Sequence, residues 1–317
     1  MRSIVRAALA GARLVTGAGL FTGACLVAGA CLVAGAAAQP APGGAAAASP
    51  AATPAGSEIV VTGRRGQEQQ IRDFVAALTP AAEGAIPRFV DQVCPAAAGL
   101  LPEQNAAVAA RLAEVAAAVG LRAAPAGCAP NMVVVAVDSK RAFLQAVAKR
   151  HPQAFGTLSP RALRRLAFGP ERAAAWQIAG AVDKKDKAQR YNDIFSGSPS
   201  EAWETVARAR ANPRGFDAAV LVVEMRALNG LTTIQVADYA AMRLFARIDP
   251  ARLPAGAPPT ILTALEAPAG SDVPVTLTAW DAGFLRGLYA SGFDRNTATQ
   301  RAQIAGRLSQ GLATPQR

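Results

Sequence analysis

The chain has 317 residues, enough for one large domain or two modest ones with a real core. Its hydrophobic fraction of 51% is inflated by alanine, and its formal charge of +11 falls to about +8 once Arg2, Arg6 and Arg13 of an N-terminal leader are set aside. That balance favours anionic surfaces such as lipid headgroups, lipopolysaccharide or nucleic acid, but the basic residues cluster only at Arg161, Arg164 and Arg165 and at Lys184, Lys185, Lys187 and Arg190. Neither cluster is interleaved with aromatics or accompanied by a nucleic-acid motif, so both read as solvated faces and no nucleic-acid partner is expected.

Residues 1–38 read as a secretory signal, with Arg2 and Arg6 first, an apolar run from Leu14, and Ala36-Ala37-Ala38 as a small-residue cleavage site before Gln39. The run is long because GACLVA occurs twice in tandem. Cys25 and Cys31 each follow a small residue, as in lipoprotein processing, but neither has leucine three positions back. Residues 39–57 are Ala, Pro, Gly, Ser and Thr without apolar periodicity, a disordered tether that cannot bury enough surface to offset its ordering entropy. The tether ends at Glu58-Ile59-Val60-Val61-Thr62-Gly63, which resembles the opening of mature TonB-dependent outer-membrane receptors. That resemblance implies a shared envelope setting. The chain behind it is too short and too helical for a receptor barrel.

A first half, residues 58–182, opens with a short helix near Gln67 to Leu78. Cys94 and Cys128 are the cysteines left after the leader, and an oxidising compartment would join them in a disulfide. Between them, Pro102 opens a helix whose Val108, Leu112, Val115 and Val119 share one face. Met132 to Val137 reads as a buried strand, and Asp138 and Ser139 can cap a helix with Phe143, Leu144 and Val147 facing inward. Ser159-Pro160 starts another helix, and Ala173 to Ala181 reads as a further strand. His151, the lone histidine of the chain, falls at a helix end, where capping is expected rather than catalysis. Residues 183–200 turn polar and read as a surface loop between the halves of one compact unit.

The second half, residues 201–317, is organised around Phe216 to Ile248: a β-branched run, an Asn229-Gly230 turn, and a helix opened by Thr232-Thr233. Ile234, Ala237, Ala241, Leu244 or Phe245, and Ile248 form the expected core stripe. Gln235, Asp238, Tyr239 and Met242 form a second, more polar stripe, the candidate partner-binding face. Local hydrogen bonding of Asp238 and Tyr239 on a half-buried face is the plainer alternative. Further on, Thr278 and Asp281 have capping-box spacing, with Trp280, Phe284 and Leu288 as the buried stripe. Residues 295–312 read as an amphipathic helix with Ile304, Leu308 and Leu312 on one side.

The run from Leu277 to Tyr289 follows the pattern LTxWDxxFLRxLY. It resembles the C-terminal signature of a group of secreted bacterial proteins regarded as candidate zinc-dependent peptidases. The resemblance implies a peptidase-like scaffold for the second half. A zincin would carry HExxH on the helix after the strand, with both histidines on one face. No histidine stands there, and with His151 alone no conventional zinc site can be assembled, so no metal and no cofactor is expected. No GxSxG, phosphate-binding glycine loop or dinucleotide fingerprint occurs either.

The sequence therefore leads to an α/β fold, with mixed α+β as the variant, in which helices pack on a small central sheet with one disulfide. It leads to an exported protein, periplasmic or secreted, with no catalytic residues assigned and no transmembrane span once the leader is gone. Its expected partner is an envelope protein or an anionic surface. The alternatives are a hydrolase of peptide or cell-wall material with an unusual carboxylate site, and an electrostatic binder of anionic lipid or polysaccharide.

Overall fold

Two apolar runs set the architecture. In a computed structural model, which describes residues 58–79, 84–125, 127–180, 215–268, 270–292 and 295–313, they become adjacent parallel strands. The leader, the tether and the polar loop 183–200 lie outside the described residues. The strands are β1 (Arg88–Phe89), β2 (Pro95–Ala98), β3 (Met132–Val137), β4 (Ala173–Gly180) and β5 (Gly215–Glu224). The helices are α1 (Glu58–Leu78), α2 (Pro102–Ala118), α3 (Lys140–Arg150), α4 (Pro160–Phe168), α5 (Thr233–Phe245), α6 (Ala279–Ala290) and α7 (Thr297–Ala313).

β5 is the centre of the sheet. β3 runs parallel along it from Met132 opposite Ala219 to Val137 opposite Glu224, and β2 runs parallel along β3. β4 covers the other edge of β5 in antiparallel register, from Ala173 opposite Val223 to Gly180 opposite Gly215. β1 pairs in parallel with Gly215 and Phe216. A strand has only two edges, so β1 shares the edge used by β3. The fold class thus matches the expectation: helices on a small, mostly parallel sheet.

Successive side chains on a strand point to opposite faces, so a strand covered on both sides reads as an unbroken apolar run. Met132, Val134 and Ala136 of β3 and Ala219, Leu221 and Val223 of β5 enter the larger core, with α1, α2, α5, α6 and α7. Val133 and Val135, with Ala218, Val220 and Val222, enter the smaller core under α3 and α4, around Phe155 and Trp176. Periodicity alone does not announce β2, because Pro-Ala-Ala-Ala has little strand preference. Its pairing with β3 makes it a strand. The chain leaves β2 at Gly99 with φ 94°, where a Cβ would stand 2.0 Å from the Ala136 carbonyl oxygen, so glycine alone fits.

Caps fall where their sequences place them. Ser139, Ser159, Thr232 and Thr278 each accept from a backbone N–H in the first turn of α3, α4, α5 and α6. Boundaries differ more. α1 begins at Glu58 rather than Gln67, so the receptor-like Glu58–Gly63 stretch is helical. α5 stops at Phe245 rather than Ile248, because Ala246 turns extended and bridges Arg88. Thr260 to Leu265 holds a 3-10 turn, with the Thr260 hydroxyl accepting from Leu262 N–H.

The Cys94–Cys128 disulfide is formed, with Cα atoms 6.1 Å apart. Asn131 pins the same corner, its Oδ1 accepting from Cys94 N–H at 2.7 Å and its Nδ2 donating to Gln92 O at 3.0 Å. Together these hold the entries of β2 and β3 side by side. On the far side of the larger core, α6 presents Gly283 and Gly287 to α7. A Cβ on Gly287 would meet the Ile304 Cα at 3.1 Å, so the two helices touch at backbone distance.

Candidate functional site

The polar stripe of α5 does not face solvent. Gln235, Asp238, Tyr239 and Met242 are 6%, 0%, 3% and 0% exposed, while Ile234, expected in the core, is 47% exposed. The candidate partner-binding face is therefore corrected to an interior face. α5 lies between the sheet and α2, with the segment through Pro274 to Thr278 beside it, so nearly every side of the helix is covered. The expectation of one buried and one presented stripe fails because two other elements cover the second.

Asp238 is held on all sides. Arg111 of α2 grips it as a fork, Nε to Oδ1 at 2.8 Å and Nη2 to Oδ2 at 3.1 Å. The Thr276 hydroxyl donates at 2.6 Å and the Leu277 N–H at 2.8 Å. Arg111 itself also reaches Thr276 Oγ1 and Glu114. Gln235 closes the α5 capping box and donates through Nε2 to Pro274 O at 2.9 Å. Met242 is core filling.

Asp281 is equally enclosed. It accepts from the Thr260 hydroxyl at 2.5 Å, Ile261 N–H at 2.9 Å, Thr278 N–H at 3.0 Å and the Thr278 hydroxyl at 2.9 Å. Burial pushes this carboxyl above the usual carboxylate range, against the pull of those four donors. Glu224 goes the other way. Burial would raise it, but its bonds from Arg226 and from Lys140 N–H hold it below the usual range. Lys140 is buried as well, and its ammonium donates to the Gly169 and Glu171 carbonyls.

Arg243, one turn beyond Tyr239, is the exception. It is 6% exposed, its Nη1 donates to Tyr239 Oη at 2.5 Å, and its Nε is buried without an acceptor. Burial pushes the Tyr239 phenol up, so that partner stays neutral. Among the described residues Arg243 makes no ion pair, and Nη2 makes no hydrogen bond. Sequence reasoning passed over this residue. The available signal was an arginine enclosed by Met242, Leu244 and Phe245 in a helix otherwise apolar at that end.

Arg243 lines two cavities. One, of about 550 Å³, lies along the β4 side of the sheet. It is lined by Arg165, Arg243, Arg247 and Arg252 against Glu171 and Asp249, with Trp176, Leu158 and Leu166 as apolar wall. The other, of about 840 Å³, has a proline-rich rim, and Arg243 there faces Glu171, Glu266 and Asp272. Both sizes suit a small ligand. His151 ends α3, its N–H donating to Val147 O at 2.7 Å. Among the described residues, no group of three or more His, Cys, Asp or Glu side chains comes together to hold a metal, and no helix is long and apolar enough to cross a membrane. The chain matches no family model, and no curated protein or solved structure matches it either.

Proposed function

We propose that this chain is an exported protein of the cell envelope that binds a partner and does not catalyse a reaction on it. The observation that carries this reading is the state of the buried charges. A general acid or base must reach a reacting proton. Asp238 and Asp281, the carboxylates best placed on helices for such work, each accept four hydrogen bonds from their own protein and are 0% exposed. Among the described residues, the buried side-chain nitrogen without a partner belongs to a cation, Arg243. The Cys94–Cys128 bond supports an oxidising compartment, and the arginine-lined cavity favours an anionic partner. With the α5 stripe enclosed, the docking surface passes to the Arg243 cavity. The peptidase resemblance of residues 277–289 enters this reading as a scaffold alone.

The test is a hydrolysis panel of unfolded protein, short peptides and cell-wall fragments, run with protein purified without reductant. No turnover is expected. Turnover that disappears in a folded Asp238→Asn variant would replace binding with the hydrolase alternative.

A further inference from the structure

We propose that Arg243 is the anchor of a carboxylate-binding site, entered from the arginine-rich cavity beside β4. This specifies the binding reading above and rests on it. A guanidinium buried beside a neutral phenol, with no ion pair among the described residues and a buried N–H that has no acceptor, is a costly arrangement in a folded chain. Such a departure from full satisfaction is what functional sites show.

The chemistry of the missing group follows from which nitrogens lack a partner. Tyr239 takes Nη1, which leaves the Nε and Nη2 edge. That is the edge with which Arg111 grips the Asp238 carboxylate in this same molecule. Two parallel N–H donors on a planar fork match the two oxygens of a carboxylate. Charge selects the entrance. The smaller cavity sets four arginines against two carboxylates, whereas the larger one sets Arg243 against three. In the smaller cavity Arg252 is already donating to the Thr79 and Ala76 carbonyls, and Arg247 lies over the Phe216 ring, so Arg243 is the buried donor left for the ligand. Leu158, Leu166 and the Trp176 side give the body of the ligand an apolar seat. The ligand is therefore an apolar-bodied carboxylate, either the C terminus of a peptide or a small organic acid.

Calorimetry on the full, disulfide-intact protein at low salt tests this with N-acetyl-Leu-Phe as free acid, the same dipeptide as its amide, and 3-phenylpropionate. At least one of the acids should bind about tenfold or more tighter than the amide. Preference for the dipeptide acid over phenylpropionate assigns the site to a protein C terminus, and the reverse assigns it to a free organic acid. Arg243→Met should abolish acid binding while the ligand-free melting temperature holds or rises, since the variant removes an unpaired buried charge. Arg243→Lys keeps a charge without the fork and should erase the preference for acid over amide. Equal binding of acid and amide, no binding of any probe, or acid binding unchanged in these variants overturns the site. The binding reading fails separately, by turnover in the hydrolysis panel.

Discussion

Arg111 and Arg243 both meet α5, one turn and a little apart, and they are in opposite states. Arg111 approaches from α2 and closes on Asp238 with two bonds, while the carboxylate gains two more from Thr276 and Leu277. Arg243 sits in α5 itself, buried, and its guanidinium bonds only to the Tyr239 phenol, over whose ring it also lies. The first arrangement is complete without any other molecule. The second is not, and that difference, rather than burial or charge alone, separates a structural arginine from a binding one.

The largest effect expected from breaking this contrast is at Arg111. Arg111→Met leaves the Asp238 charge in the interior with two donors fewer, which should cost about 3 to 5 kcal/mol, read from urea midpoints. A loss below about 1 kcal/mol would mean that Thr276 and Leu277 hold Asp238 unaided. Next is the bond that closes the loop carrying α2. Replacing Cys94 and Cys128 by serine should cost about 3 to 4 kcal/mol in the chain-entropy model, and calorimetry of the reduced and oxidised forms checks it. Arg243→Met should differ in kind, with stability within about 1 kcal/mol of the parent protein or higher. A large loss there would make Arg243 a structural residue like Arg111.

The smallest effects are pH slopes, and they carry opposite signs. Asp281 has its folded value raised, so the stability it contributes is full below its unfolded value and is lost as pH rises through the folded one. Glu224 has its folded value lowered, so its contribution is present above the unfolded value and is lost as pH falls through the folded one. Between about pH 3 and 7, Asp281→Asn should flatten a decline in urea midpoint toward neutrality, and Glu224→Gln a decline toward acid. Identical slopes in both variants would show that neither environment differs from that of the unfolded chain.

How much of this was legible in the sequence depends on how far apart the partners stand. The runs that became β3 and β5 could be read directly, because burial on both faces leaves an uninterrupted apolar string. Ser139, Ser159, Thr232 and Thr278 could be read too, since a cap and the N–H it serves are three residues apart. β2 could not, because alanine becomes a strand there only through pairing with β3. The α5 stripe was misread for the same reason. Asp238 looked like a residue in search of a partner, and the partner was Arg111, 127 positions away. Arg243 was hidden by its own neighbours, since an arginine between Met242 and Leu244 ordinarily extends its charge into water.

The two ends of the described chain lock into one another. Arg301 of α7 donates to the hydroxyl and carbonyl of Thr79, just past α1, and Gln300 Oε1 accepts from Ile86 N–H, at sequence separations of 222 and 214. Arg88 of β1 reaches the Leu288 and Ser291 carbonyls at the end of α6. A chain is made N-terminus first, so α1 and β1 exist long before the residues that receive them. The fold cannot close before α7 is made, and a nascent chain stopped short of Thr297 keeps the apolar side of α1, with Ile71, Phe74 and Leu78, without α7 to pack on. Until α7 arrives, such a chain lacks the helix that completes its larger core.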